Sequence, residues 1–518
     1  MENFARRHSE SADELRAVHW WSALCILYTA FVVNSLLRAF QRFFSHFLSG
    51  AYAMKKIWIV LLTAIVTLPC EAAQLATMRL DYFHTGGMGQ EVFSLDRIVL
   101  EPLPWPGNPK RLTDQSNRGT CFFEVRNRTD NRVIYSRGFS SIYGEWITTD
   151  EAKKVDRTFH ESLRFPAPQS PVEIVVMKRD SQNAFREIWR TAVDPKGMSI
   201  DASKPPLSPH VIEIERNGDP ALKLDLLFLG EGYNSAEQEK CEKDIRRLTE
   251  GVFSYSPFKE RRKDFNMWGI CAASPDSGVS HPASGVQKNT LYGTQFDVFG
   301  EDRYALSFDN RAIRSTASFA PYDAMGIVMN SKDYGNGGIF GLYATVSIDY
   351  PTGIQVFVHE FGHHIADLGD EYYFNADVAY SPASTSVEPW APNITALPDP
   401  HHVKWQSLVK PGTPIPTPWA KDCYENSLKD SKKLVEQLRS EKRPSAEIEE
   451  KRRKAREAAD HCLASGTYAG KVGAFEGAMY ETKGYYRPQQ QCIMISGDSF
   501  CAVCRHAIEE MIDLYSRP

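Results

Sequence analysis

The feature that most limits what this chain can fold into is a His-Glu-x-x-His motif at residues 359–363. Its apolar flank predicts that the motif lies on a helix across residues 352–368. His359 and His363 are four residues apart, so both imidazoles leave the same helical face, one turn apart. This spacing lets two nitrogen atoms bind one zinc ion, and Glu360 can act as general base on the attacking water.

A catalytic zinc ion needs a third protein ligand and one open coordination position. We predict that Thr352 is the N-cap of the helix and that Gly369 ends it, after which the chain can fold back towards the metal. Asp370 is therefore the predicted third ligand, although it can also serve as a helix-terminal hydrogen-bonding residue. Glu371 and Glu476 are the alternatives, Glu476 because gluzincin-like sites take a glutamate from a distant segment.

The segment that follows the motif departs from the metzincin pattern His-Glu-x-x-His-x-x-Gly-x-x-His, which would place its glycine at Ala366 and its last ligand at Gly369. Downstream, a Cys-Ile-Met sequence at residues 492–494 can form a Met-turn beneath the metal. Three tyrosines lie between residues 476 and 487, and of these we predict that Tyr486 stabilises the developing oxyanion.

Six short motifs follow one another in the C-terminal half. They are His-Glu-Phe-Gly-His at 359–363, Asp370-Glu371-Tyr372, Glu476-Gly477-Ala478, Tyr486-Arg487-Pro488, Cys492-Ile493-Met494 and Phe500-Cys501-x-x-Cys504. With them the chain, from about residue 75 to its end, resembles the bacterial IgA-peptidase family of secreted zinc metallopeptidases. The resemblance implies an α+β protein, in which an N-terminal β-sandwich precedes a metzincin-like α/β zinc-peptidase domain. The family name is not carried over as a substrate specificity.

The pattern of apolar residues agrees with this division. Short alternating runs between turn residues predict a β-sandwich at residues 75–195, and its aromatic stretch at 139–146 is expected to pack against the next domain. Residues 196–209, rich in Pro, Lys and Ser, are the predicted linker, and residues 210–518 the catalytic domain. Within that domain, strands are predicted at residues 211–216, 224–230, 265–271 and 323–330.

Two further segments of the catalytic domain have distinct patterns. The glycine-rich residues 334–347 predict an edge strand above the metal cleft, where an extended substrate can add as a further strand; a flexible hairpin is the alternative. Residues 424–462 predict a helical-hairpin insert, with helices at 427–439 and 445–462.

The N-terminal region predicts export. Residues 54–73 form a complete signal peptide, with a basic start at Met54, an apolar core and a small-residue cleavage site. Residues 1–53 are then an upstream mis-start or N-terminal extension, and the alternative is a membrane anchor at residues 20–37. The protein is expected to be periplasmic, cell-surface or extracellular, without stable membrane association after cleavage of the signal.

Export permits disulfides. Cys423 and Cys462 bracket the helical insert and are predicted to close its base. Cys492, Cys501 and Cys504 crowd the C-terminus. Because only one further cysteine lies near the Cys-x-x-Cys pair, we predict a structural disulfide there rather than a redox or zinc site.

The sequence as a whole predicts an exported endopeptidase with one catalytic Zn²⁺ and a protein or peptide substrate. A net charge of −5, with 42% hydrophobic and 24% charged residues, is typical of a globular protein and argues against a nucleic-acid partner. Two alternatives are a zinc amidase acting on a cell-wall amide and a surface-binding protein with a vestigial metal site. The intact Glu360 argues against the second alternative, because a vestigial site needs no general base.

Overall fold

The computed structural model describes residues 75–203, 209–373, 387–441, 443 and 445–517. The predicted signal peptide at 54–73, the segment 1–53 and residues 204–208 of the predicted linker lie outside the described residues. The stretch Gln74–Pro518 forms one compact unit, so the domain boundaries proposed around residue 200 stay a prediction. Among the helices of the described ranges, none is long and apolar enough to cross a membrane.

The N-terminal part consists of two four-stranded sheets. The elements are β1 Ala76–Gly87, β2 Gln90–Pro104, β3 Cys121–Asn127, β4 Val133–Phe139, α1 Ile142–Trp146, β5 Arg157–Pro166, β6 Val172–Arg179, β7 Phe185–Val193 and β8 Ile200–Asp201. The strand orders are β5-β1-β2-β8 and β4-β3-β6-β7. All neighbouring strands are antiparallel except the short pair of β2 and β8.

Alternation of apolar and polar residues explains these strands. In β3, Phe123 and Val125 point inward while the residues between them are partly exposed, as the two-residue period of a strand requires. These side chains and Ile174 of one sheet meet Leu80 and Phe165 of the other in one hydrophobic core. Each sheet therefore buries its apolar face against the other.

The C-terminal part is built on a six-stranded sheet. Its first elements are β9 Val211–Glu215, β10 Leu224–Glu231, α2 Gln238–Val252, α3 Phe258–Arg261, β11 Phe265–Ile270, β12 Thr294–Gln295, β13 Leu306–Ser307, α4 Asn310–Ala317, β14 Ala324–Met329, β15 Asn336–Ile339, β16 Tyr343–Ser347 and α5 Gly353–Ala366. The strand order is β15-β16-β14-β10-β11-β9. The four central strands are parallel, whereas β9 and β15 run antiparallel at the two edges.

The central strand β10 is buried along its whole length, as expected for a parallel strand covered on both faces. Its residues Leu226 and Phe228 enter one core together with α2 and α5. Leu227 and Leu229 enter a second core, which contains α4 and also Trp146 of α1. The prediction that the aromatic stretch at 139–146 packs against the C-terminal part is thereby confirmed.

All four predicted strands are present, and the glycine-rich segment does form the edge strand β15. Helix α2 begins at Gln238, with Glu237 as its N-cap. The carboxylate of Glu237 accepts a hydrogen bond from the Asn234 amide, which holds the preceding residues in a turn. The fold is mixed α+β.

The remaining elements follow α5 in the chain. They are α6 Lys421–Ser440, α7 Ser445–Leu463, β17 Phe475–Ala478, β18 Glu481–Arg487 and α8 Ala502–Ser516. Helices α6 and α7 form the predicted hairpin, although α6 starts six residues before the predicted residue 427 because Tyr424 packs into the main core.

The cysteines pair only in part as predicted. Cys423 and Cys462 form the expected disulfide at the base of the hairpin. A second disulfide joins Cys241 of α2 to Cys271, which directly follows β11. The disulfide predicted among Cys492, Cys501 and Cys504 is wrong, since all three are buried free thiols.

We expect the double substitution Cys423→Ser with Cys462→Ser to destabilise the hairpin by about 3–4 kcal/mol, the loop-closure value for residues 39 apart. Hydrogen exchange of the backbone amides of α6 and α7 measures this loss. The matched control is Cys121→Ser, which removes a buried thiol that forms no disulfide. Unchanged exchange in both helices of the double variant contradicts the prediction.

Candidate metal centre

The helix α5 carries the His-Glu-x-x-His motif and begins, as predicted, after Thr352. Its end differs from the prediction: the helix stops at Ala366, and Asp367, not Gly369, reverses the chain with a left-handed φ of 51°. Aspartate tolerates this conformation when its carboxylate is hydrogen-bonded. That bond is present, because the Asp367 carboxylate accepts from the Gly119 amide at 2.6 Å.

Arg118 holds the same end of α5. Its buried guanidinium donates hydrogen bonds to the carbonyl oxygens of Ala366, at 3.0 Å, and of Ala507 in α8, at 2.9 Å. A cation at a helix C-terminus is favourable because the free carbonyl groups there carry partial negative charge. The segment between β2 and β3 therefore fixes where α5 ends and where the next residues go.

Three side chains converge just beyond this turn. The Nε2 atoms of His359 and His363 are 3.1 Å apart. The Oδ1 atom of Asp370 lies 3.1 Å from the first of these nitrogens and 3.3 Å from the second. Of the three carboxylates that the sequence offered as third ligand, Asp370 is the one that joins the histidines in a group able to hold a metal ion.

The histidine rings are oriented by backbone carbonyl groups. The Nδ1–H of His359 donates to the carbonyl oxygen of Ile493 at 2.9 Å, and that of His363 donates to the carbonyl oxygen of Leu368 at 2.5 Å. Both Nε2 atoms therefore present a lone pair to the space they share with Asp370. Such carbonyl partners are the usual way in which proteins fix the orientation of metal-binding imidazoles.

This donor set fits one metal ion. The buried Oδ1 atom of Asp370 has the two imidazole Nε2 atoms as its neighbours, at 3.1 and 3.3 Å. Zinc bonds of roughly 2.0–2.1 Å in a tetrahedral arrangement separate the ligand atoms by about 3.3–3.4 Å, close to the distances found here. Three lone pairs facing one another at this spacing require a cation between them.

In the metal-free protein a proton takes the place of that cation. Burial lowers the pKa of an imidazole, but the Asp370 carboxylate outweighs it and raises the pKa of His363 to about 10. The same opposition leaves the pKa of His359 above its ordinary value. Burial alone would raise the pKa of Asp370, whereas the two imidazoles beside it hold that pKa well below its usual range.

The segment after the turn is tied down at several points. Tyr480 donates its hydroxyl hydrogen to Oδ2 of Asp370. The backbone amide of Glu371 donates to the carbonyl oxygen of Met494 at 2.8 Å, inside the segment predicted as a Met-turn. The fully buried Asn393 accepts from the Gly369 amide at 2.8 Å and donates to its carbonyl oxygen at 2.9 Å. These contacts hold Asp370 against the histidines.

Of the other predicted site residues, one lies at the cleft and two lie elsewhere. Glu360 is buried beside the histidines and lines the cleft. Tyr486 pairs through its backbone with Thr395 and is not among the residues that line this cleft. Glu476 accepts an ion-pair hydrogen bond from Lys421 at 2.9 Å instead of facing the histidines.

Several residues that the sequence did not single out line the cleft. Tyr372 and Tyr480 stand next to the metal-binding group, with ring centres 5.5 Å apart, and Arg303 hydrogen-bonds to Tyr372. From the N-terminal part, α1 contributes Glu145. Burial is the largest cause that raises the pKa of Glu145 to about 7, and Asp370 adds to this effect. The Asp-Glu-Tyr sequence was a signal for Tyr372, but no local pattern marked Arg303 or Glu145.

Two family models match this chain. The model described as IgA Peptidase M64 matches residues 212–512, which is more than half of the chain. The model described as Peptidase M64 N-terminus matches residues 71–190. A search of curated proteins finds no match. The first matched range contains α5 and the whole metal-binding group, and the second contains most strands of the N-terminal sheets.

We expect divalent metal ions to bind the metal-free protein with release of protons. Because the pKa of His363 is raised to about 10, this residue keeps a proton at neutral pH that the metal must displace. Affinity should therefore rise, by up to about tenfold per pH unit, between about pH 7 and about pH 9. Calorimetry in buffers of different ionisation enthalpy measures the released protons.

The control is His363→Ala. The difference between the wild type and this variant, in metal affinity and in released protons, is the contribution of the three-residue group. An affinity that is independent of pH over this range contradicts the prediction.

Proposed function

Because the chain belongs to the IgA peptidase M64 family, we propose that it is an exported endopeptidase with one catalytic zinc ion and Glu360 as general base. The family is one of peptidases, so the chain is a peptidase and its substrate is a protein or a peptide. Membership also suggests a metal-dependent enzyme, in agreement with the group of potential metal ligands. The zinc ion, the base and export are proposals, supported as follows.

One observation carries the proposal. His359, His363 and Asp370 bring two nitrogen atoms and one oxygen atom within 3.1–3.3 Å of one another, beside a cleft. Two imidazoles and one carboxylate form a donor set typical of catalytic zinc sites, which keep one coordination position open. A zinc ion held there would supply Lewis acidity, which makes water a nucleophile near neutral pH and polarises a peptide carbonyl.

We assign a separate role in the reaction to each of three residues near this group. Glu360 follows the first histidine and lines the same cleft, where it can accept a proton from the attacking water and return it to the leaving amine. Tyr480 positions Asp370 through its hydrogen bond to Oδ2. Tyr372, held by Arg303, is better placed than Tyr486 to stabilise negative charge on the substrate oxygen.

The cleft favours an extended peptide as substrate. Its wall includes the edge strand β15, and Gly338 of this strand lines the cleft. A Cβ atom at this position would lie 2.3 Å from the backbone oxygen of Glu360, so the strand packs directly on the catalytic helix. The outward backbone groups of Asn336 in the same strand already pair with residues 303–305. We infer that the substrate backbone pairs with the strand beside this point, at Gly338.

The proposed architecture is an N-terminal β-sandwich at residues 75–195, a linker at 196–209 and a metzincin-like catalytic domain at 210–518. The shared core of the two N-terminal sheets supports the sandwich. The gap between the two family matches, at residues 191–211, supports the position of the linker. The Met494 turn that binds both the Glu371 amide and, through Ile493, a histidine supports the metzincin-like assignment.

Export is proposed from the signal-peptide pattern at residues 54–73. The disulfides Cys241–Cys271 and Cys423–Cys462 support it, because such bonds persist in oxidising compartments. Of the two alternatives, the cell-wall amidase and the binding protein, neither is favoured by a specific observation, whereas the family match favours peptide hydrolysis.

We expect Asp370→Ala and His363→Ala each to lower the bound zinc by one equivalent, because each removes a ligand of the three-residue group. Glu476→Ala should keep the full amount, since this carboxylate pairs with Lys421. Elemental analysis after gel filtration measures zinc per chain. If Glu476→Ala loses one equivalent of zinc and Asp370→Ala loses none, the third ligand is Glu476 and not Asp370.

We expect Glu360→Gln to lower kcat for cleavage of a casein substrate by about 10²–10⁴-fold while zinc content stays unchanged, because the amide cannot accept the proton from water. The control Glu242→Gln makes the same chemical change on the exposed face of α2, where Glu242 pairs with Arg246. Full activity of Glu360→Gln rules out this residue as the general base.

A further inference from the structure

Three thiols and one carboxylate meet in a second cluster behind the catalytic group. Its members are Cys492, Cys501, Cys504 and Glu371, and one donor atom from each lies within 4.8 Å of all the others. The four side chains are buried, with the carboxylate and two of the three thiols fully excluded from solvent. Neither the peptidase activity nor the catalytic metal gives this cluster a role.

The spacing of the donor atoms is that of a tetrahedral metal site. The sulfur atoms of Cys492 and Cys504 are 3.7 Å apart. Oε1 of Glu371 lies 3.1 Å from the Cys504 sulfur and 3.8 Å from the Cys501 sulfur. Zinc bonds of roughly 2.3 Å to sulfur and 2.0 Å to oxygen predict about 3.8 Å between sulfurs and about 3.5 Å between sulfur and oxygen.

The same spacing does not describe a disulfide. A disulfide joins sulfur atoms at roughly 2.05 Å, whereas two of these sulfurs stand 3.7 Å apart and all three thiols are free. Glu371 also places a carboxyl oxygen among these sulfurs, and a carboxyl group takes no part in a disulfide. A cation would satisfy both the carboxylate and the sulfurs.

Backbone hydrogen bonds to the sulfur atoms favour thiolates, and one oxygen of Glu371 has no hydrogen-bond partner among the described residues. The backbone amide of Cys501 donates to the Cys492 sulfur at 3.3 Å, and that of Cys504 donates to the Cys501 sulfur at 3.4 Å, at the N-terminus of α8. Backbone N–H groups at a helix start favour anionic sulfur. Within the described residues, Oε2 of Glu371 is buried without a hydrogen-bond partner, while Oε1 accepts from the Asn393 side chain at 3.0 Å.

We propose that Glu371, Cys492, Cys501 and Cys504 bind a second, structural metal ion of the zinc class. Three thiolates select a thiophilic divalent ion, and a donor set of four protein side chains leaves no open position for a substrate. Because the four side chains are buried, water has no access to an ion at this position either. This site is separate from the catalytic group and does not depend on the proposed reaction.

The second ion joins the two loops that build the catalytic group. Glu371 directly follows Asp370, the third ligand at the catalytic group. Cys492 directly precedes Ile493, whose carbonyl oxygen orients His359. A metal ion bound by Glu371 and Cys492 therefore ties the segment that supplies Asp370 to the segment that aligns a catalytic histidine.

The test counts zinc per chain in protein purified without chelators, and it uses His363→Ala to empty the catalytic group. We expect two equivalents in the wild type and one in His363→Ala. After exchange into Co²⁺, His363→Ala should keep the intense sulfur-to-cobalt charge-transfer absorption in the near ultraviolet, which a nitrogen and oxygen site does not show. This measurement leaves all four proposed ligands intact.

The variant Cys501→Ser should lose one zinc equivalent and most of the charge-transfer absorption. The matched control Cys121→Ser removes a buried free thiol from β3 and should keep both. The proposal is overturned if His363→Ala holds no metal and gives no such absorption with Co²⁺. It is equally overturned if mass spectrometry of the non-reduced protein finds a disulfide between any two of Cys492, Cys501 and Cys504. Loss of activity alone decides nothing about this site.

Discussion

Two contacts at the C-terminal end of α5 decide where Asp370 lies. Asp367 adopts a left-handed conformation that is held by the Gly119 amide, and Arg118 binds the last carbonyl groups of the helix. Without this early reversal the helix would continue past Ala366 and carry Asp370 along its axis, away from the histidine nitrogens. The group of His359, His363 and Asp370 is thus assembled by residues of the N-terminal part as much as by the motif itself.

The segment beyond the turn serves two clusters with consecutive residues. Asp370 faces the histidines, whereas Glu371 faces the three thiols. The opposing loop does the same, since Ile493 orients His359 and Cys492 enters the thiol cluster. Because the amide of Glu371 also binds the carbonyl oxygen of Met494, a displacement of either loop would move both clusters together.

Local patterns predicted the parts of this molecule that depend on nearest neighbours along the chain. The buried strand β10 has a continuous apolar run at residues 226–229, and β3 alternates, so both follow from hydrophobic periodicity. The spacing of His359 and His363 places both rings on one helical face without further information. The hairpin disulfide followed from two cysteines that flank a single insert.

Where the structure departs from the local patterns, the partner lies far away in sequence. Tyr480 and Tyr486 belong to one short hairpin, and only the folded chain shows that the first hydrogen-bonds to Asp370 while the second pairs through its backbone with Thr395. The three C-terminal cysteines suggested a disulfide because their fourth companion, Glu371, lies more than a hundred residues upstream. Sequence alone therefore determined the helix with the His-Glu-x-x-His motif and the common face of its two histidines, because helical spacing fixes them locally. Tertiary structure decided the approach of Asp370 to the histidines, the tyrosines of the cleft and the thiol cluster, because each requires a contact between segments that the sequence keeps apart.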